Sequence, residues 1–155
     1  MTSQKKALVL FFSESGGTER MANIIAEAIR KSPIEVKLER VDRVELPALP
    51  GYDALILGSP TYFSNVAWPV KKLIDESIVL YRRRQLKGKV AGIFTSSGTE
   101  RDARDCLRML QIALGFHHGM NVVEGIVRAA SETEAETRVK CEEYGRKLAE
   151  AMLKG

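Results

Sequence analysis

The chain has 155 residues, 45% hydrophobic and 28% charged, which suits one soluble globular domain, residues 1–155, with a core covered on two sides. Its apolar runs fall far short of the ~20 residues that a membrane-spanning helix needs. A net charge of +4 is a small excess for a nucleic-acid binder, and two cysteines with two adjacent histidines cannot build a zinc site, so neither nucleic acid, membrane nor metal is expected.

Residues 1–6 are polar and carry no leader pattern, from which a cytoplasmic chain is expected. Residues 7–12 are continuously apolar, as a strand covered on both faces must be. Met21, Ile24, Ile25, Ala28 and Ile29 recur at helical spacing over 18–31. Residues 34–38 alternate apolar and charged, which predicts an edge strand. The proline-containing stretch 46–51 reads as a loop inside the domain. A second buried strand is predicted at 54–57, then a helix at 66–78 with Pro69 near its start. Residues 90–94 form the next strand, 101–116 a helix, and 120–123 the last strand. Ser131 and Glu134 resemble a capping box opening the final helix. Strand and helix alternate throughout, which predicts a parallel sheet with helices on both faces. Cys106 and Cys141 fall in predicted helices and are expected to be reduced and structural.

The sharpest local feature follows the first strand. Ser13, Glu14, Ser15, Gly16, Gly17 and Thr18 run straight into a helix. Small residues and hydroxyls ahead of a helix N-terminus make an anion site, because unpaired backbone N–H groups and the positive helix end face the same point. The loop has no Lys or Arg before Arg20, so the anion is expected to be a phosphate monoester held by neutral donors. A nucleotide P-loop would end in Gly-Lys-Ser/Thr where this chain has Gly17-Thr18-Glu19. The Gly-x-Gly-x-x-Gly dinucleotide fingerprint is absent. A cysteine phosphatase would need Cys where Glu14 stands, and a phospho-receiver would need Asp where Ser13 and Ser59 stand.

In an open parallel sheet the ligand lies outside the carboxyl ends of the strands. Two further loops belong there. One contains Pro60, Thr61, Tyr62, Phe63, Ser64 and Asn65, and offers two aromatic rings to a flat ligand. The other contains Ser96, Ser97, Gly98, Thr99 and Glu100.

The Ser-x-Ser-Gly-x-Thr pattern resembles the phosphate loop of the flavodoxin family. The segments 58–75, 92–99 and 117–120 look like those of WrbA-type NAD(P)H:quinone oxidoreductases and related NADPH-dependent FMN reductases. The resemblance implies a flavodoxin-like three-layer sandwich with a five-stranded parallel sheet in order 2-1-3-4-5, and a non-covalently held FMN. By the same resemblance, residues 13–18 hold the FMN phosphate, and Thr61, Tyr62, Phe63 and Asn65 line the isoalloxazine. Residues 96–100 then flank its pyrimidine side or the ribityl chain. Tyr81 matches a family Trp that reaches the flavin from a neighbouring subunit, and His117 matches a His near the flavin. The chain lacks the family's long insertion before the third strand and its glycine-rich segment before the last helix.

Trp68 is expected in the core or at a subunit interface rather than on the flavin. The run Arg82-Arg83-Arg84 reads as a solvated helix end or as a site for NAD(P)H phosphates. Two functions share the implied cofactor. One is an NAD(P)H-dependent oxidoreductase that passes electrons to a quinone or other small acceptor. The other is a flavodoxin-type carrier between redox proteins. Carriers are characteristically acidic, so the net positive charge favours the enzyme. No protein acid or base is required for either. A homo-dimer or homo-tetramer is expected.

Overall fold

The computed structural model describes residues 3–155, and its first strand grows from the apolar run just inside that boundary. β1 (Lys5–Phe11) is buried from Ala7 onward. Alternate residues of β1 serve two cores. Ala7, Val9 and Phe11 face one helical layer, and Leu8 and Leu10 face the other. Each such fully buried Leu contributes about 1.5–3 kcal/mol by leaving water.

α1 (Gly17–Arg30) follows, then β2 (Ile34–Arg40), β3 (Ala54–Tyr62) and the two-residue β4 (Asn65–Val66). α2 (Trp68–Glu76), α3 (Ile78–Arg82), β5 (Val90–Ser97), α4 (Glu100–Gln111), β6 (Asn121–Ala129) and α5 (Glu134–Lys154) complete the chain. The sheet order is β2-β1-β3-β5-β6, all parallel, with β4 pairing antiparallel to the end of β3. Counting only the five parallel strands gives the expected order 2-1-3-4-5. β2 is the half-exposed edge that its alternation predicts.

α1 and α5 cover one face, where Met21, Ile25 and Ile29 meet Cys141, Tyr144 and Leu148. A side chain at Gly145 would place its Cβ 2.5 Å from Ala28 Cβ, so the missing side chain sets how closely these helices approach. α2, α3 and α4 cover the other face through Val70, Leu73, Leu80 and Leu110, joined by Leu114 from the turn that follows α4.

Several elements depart from expectation. The stretch 46–51, expected as a loop, winds into a 3-10 helix (Leu46–Gly51), and the strands expected at 54–57 and 90–94 run on to Tyr62 and Ser97. The helix expected over 66–78 begins at Trp68 and breaks at Ser77, whose hydroxyl donates to the Ile74 carbonyl (2.6 Å). The helix expected to 116 ends at Gln111 and continues as a wider turn to His117, closed by His118 N–H donating to the Ala113 carbonyl (3.1 Å). The final helix is capped two residues later than expected, by Thr133 accepting from Glu136 N–H (3.1 Å). The last strand runs on to Ala129, because a bulge absorbs the interruption at Glu124 and Gly125. Gly92 pairs with Val123 and Phe94 with Ile126. The Tyr144 hydroxyl sits at that irregularity, accepting from Ile93 N–H (2.9 Å) and donating to the Val123 carbonyl (2.8 Å).

Cys106 and Cys141 are free and buried, and burial pushes the Cys141 thiol up to about 12. Among the described residues no helix is long and apolar enough to cross a membrane, and no cluster of His, Cys, Asp and Glu could hold a metal.

Candidate functional site at the carboxyl edge of the sheet

β1 and β3 are neighbours, and the chain leaves them toward opposite helical layers. The crevice above their carboxyl ends is the topological switch point of the sheet. Three loops close over it.

The first loop turns sharply. Gly16 adopts φ 95°, a left-handed conformation that residues with a Cβ rarely enter. Ser13 Oγ accepts from Gly16 N–H (3.0 Å), which fixes the turn. The amides of the first turn of α1 have no partner within the helix, so they form a donor cluster at its positive end. Thr18 is buried, and its hydroxyl pairs with Ser96 Oγ (2.8 Å), tying the first loop to the third.

The second loop is a β-hairpin between β3 and β4. Phe63 (φ 50°) and Ser64 (φ 63°) occupy its two central positions, a primed turn built without glycine. Left-handed φ at a bulky residue costs energy, which the contacts holding the hairpin must outweigh. The turn leaves the Phe63 ring fully exposed and Tyr62 partly so. The Tyr62 hydroxyl donates to Glu14 (3.0 Å), and burial, reinforced by that carboxylate, raises the phenol above its ordinary value. Ser64 donates to Asp102 at the start of α4 (2.7 Å), and Thr61 pairs with Thr95 (2.6 Å). Buried Ser59 donates to the Pro60 carbonyl (2.8 Å) and accepts from Ala67 N–H (2.9 Å). Asn65 folds its own carbonyl onto Val66 N–H (2.7 Å).

The third loop joins β5 to α4. Ser97 donates to the Thr99 carbonyl (2.7 Å), and Thr99 caps α4 by accepting from Asp102 N–H (3.2 Å). The Ser64 and Thr99 contacts hold the Asp102 carboxyl below its ordinary range. Glu100 and Asp102 occupy the first turn of α4, so that helix end already carries acids. The first turn of α1 carries Glu19, but Arg128 reaches toward it from β6: a Cβ on Gly17 would lie 2.9 Å from Arg128 Nη1. Arg20 pairs with Glu134. Arg128, a cation where neutral donors alone were expected, lies against residue 17. Arg128 is brought there by strand register, opposite Ser96. Its signal in the sequence is a lone Arg ending an apolar strand run beside a loop of the site.

Residues 13–18, 60–65 and 96–100 thus gather at one edge. Tyr81 and His117 do not join them within the chain. Both lie at the amino edge, because α2 and α3 carry the chain back from β3, and α4 carries it back from β5. There Tyr81 meets His117 edge-on (centroids 6.2 Å apart) and His118 likewise (5.9 Å). Buried His118 shares a hydrogen bond with Ser77 (2.9 Å), and burial lowers its pKa. Arg82 and Arg83 wall a groove of about 510 Å³ at that same edge with Pro47 and Pro50. Trp68 is 73% exposed rather than a core residue, and with Phe12 it lines a groove of about 390 Å³ beside the first loop.

A doubly wound sheet of this order, with its crevice between β1 and β3, defines a flavodoxin-like α/β protein. The model of the NADPH-dependent FMN reductase family matches residues 46–135, and the chain belongs to that family. It is similar to an NAD(P)H dehydrogenase (quinone) of Sinorhizobium fredii, 33% identical over 138 residues covering 76% of this chain and 69% of that protein. It is also similar to a flavodoxin of Clostridium saccharobutylicum, 37% identical over 61% of this chain and 57% of that one. Among solved structures, a WrbA-like flavodoxin from Agrobacterium tumefaciens superposes with a TM-score of 0.84 at 26% identity, covering 98% of this chain and 99% of that one. The chain is accordingly an FMN-binding redox flavoprotein.

Proposed function

We propose that residues 1–155 act as one FMN-binding unit that oxidises NAD(P)H and passes the electrons to a quinone or another small acceptor. The observation that carries this reading is the convergence of three hydroxyl-rich loops on the free N-terminus of α1. Residues 13–18 would take the phosphate through backbone amides and the Ser13, Ser15 and Thr18 hydroxyls. Ser96, Ser97, Gly98, Thr99 and Glu100 would border the ribityl chain and pyrimidine edge. Pro60, Thr61, Tyr62, Phe63, Ser64 and Asn65 would border the isoalloxazine, with the exposed Phe63 ring as the surface against which it lies.

The residues present fit that group. The left-handed Gly16 and side-chain-free Gly17 leave the loop open, Gly98 has nothing within 4 Å of a would-be Cβ, and a buried Arg128 nitrogen lacks a partner. Bound FMN supplies hydride acceptance at N5 and onward electron delivery. The protein's part is to orient and to set the electrostatics. The α1 amides bind the phosphate, the strained hairpin fixes its aromatic rings, and the Thr61–Thr95 and Thr18–Ser96 pairs hold the loops in register.

The reading of the chain as a carrier between redox proteins is supported by its similarity to flavodoxins over nearly the whole length. An anaerobic visible spectrum separates the two. The enzyme reading expects the oxidised-flavin band of the FMN-loaded protein to bleach on adding NADPH or NADH. A band that persists until dithionite is added would exclude direct oxidation of NAD(P)H and leave the carrier.

A further inference from the structure

We propose that Arg128 is a cationic clamp on the FMN phosphate, so that this cradle is charge-neutralised rather than built of neutral donors alone. This rests on the FMN reading above. Three observations on separate elements carry it.

First, Arg128 lies on the face of β6 that looks toward α1 and α5, the same face as Ile126. Its register partner Ser96 is the residue whose hydroxyl holds Thr18. Second, the guanidinium lies directly against the phosphate loop, at the one position where a Cβ on residue 17 would collide with it. Gly17 therefore lets the cation approach as well as freeing the backbone. Third, the guanidinium has capacity to spare. Nε is fully buried with no hydrogen-bond partner, and an unsatisfied buried donor is costly unless something accepts from it. Glu132 feels the Arg128 charge, yet its two oxygens are taken by Thr137 (2.7 Å) and Lys140. A phosphate monoester at the α1 N-terminus would accept from the Nη side of the guanidinium, which faces residue 17, and the planar fork of arginine suits its oxygens.

Riboflavin carries the ring and ribityl chain of FMN without the phosphate, so it separates the clamp from the rest of the site. Flavin fluorescence quenching would be titrated with FMN and with riboflavin for the wild-type apo-protein, Arg128→Met and Arg128→Lys, at low and high salt. The clamp predicts that Arg128→Met weakens FMN on the order of 10- to 100-fold and leaves riboflavin within about 2-fold. Arg128→Lys should recover part of the FMN affinity, and the salt dependence of FMN binding should flatten in the Met variant. A thermal shift with inorganic phosphate gives a second measurement, since phosphate should stabilise wild type and Arg128→Lys but not Arg128→Met. Equal losses for FMN and riboflavin, or no loss for either, would overturn the clamp while leaving the flavin site intact. A wild-type protein that binds neither flavin would overturn the FMN reading together with the clamp.

Discussion

The two edges of the sheet are built from the same five strands and solve opposite problems. At the amino edge backbone groups bond across the strand ends. Gly88 N–H donates to the Gly119 carbonyl, Asn121 N–H donates to the Lys89 carbonyl, and His118 lies beneath Tyr81 with its Nε2 bonded to Ser77 and its Nδ1 buried without a partner. At the carboxyl edge the polar groups bond across loops and still leave donors over, namely the first-turn amides of α1 and the Arg128 guanidinium. A closed edge stabilises. An edge where a free helix N-terminus and a guanidinium face the same loop is arranged for an anionic ligand.

The largest effect should come from breaking the open edge at its narrowest point. Gly17→Glu puts a Cβ against Arg128 and a carboxylate where the anion would sit. FMN affinity should fall on the order of 100-fold or more, as expected when a like charge enters a desolvated anion site. Far-UV circular dichroism of the apo-protein should be unchanged, because residue 17 supports no core contact.

At the closed edge the test is pH. Burial lowers the pKa of His118, whose Nδ1 is buried without a partner. The unfolded chain therefore takes up the proton first. Stability is full above the ordinary histidine pKa of about 6.5 and is lost as pH falls below it toward the depressed value, by at most ~1.4 kcal/mol per pH unit. Denaturant titrations of His118→Phe should show a flatter slope over that window, since Ser77 keeps its bond to the Ile74 carbonyl. An unchanged slope would place the titrating group elsewhere.

The smallest effect sharpens the link between loops. Thr61→Val removes the hydroxyl pair with Thr95 and should cost about 1 kcal/mol of stability. It should weaken FMN and riboflavin alike, because it loosens the second loop and leaves the phosphate cradle untouched.

Much of this was legible in the sequence. The continuous runs at 7–12, 54–57 and 90–94 mark strands buried on both faces, and the alternation at 34–38 marks the edge. The five small or hydroxylic residues among 13–18 mark the turn before α1. What escaped depends on distance along the chain. Arg128 lies more than a hundred residues from the loop it faces, and only the β5–β6 register with its bulge brings it there. The β3–β4 hairpin escaped because its turn uses Phe63 and Ser64 where glycine or asparagine would announce it. His117 was matched to a position near the flavin, and direction was the missing information. A helix that follows a strand returns its far end to the opposite edge.

The measurement that tests the central claim most directly is a map of backbone amide chemical shifts in the labelled apo-protein as FMN is added. The account predicts that the largest changes fall on Gly16, Gly17 and Thr18, with further changes across 61–65, 96–100 and Arg128. Saturable FMN binding that leaves those amides in place, with its largest shifts at the amino edge around Ser77, Tyr81 and His117, would contradict it.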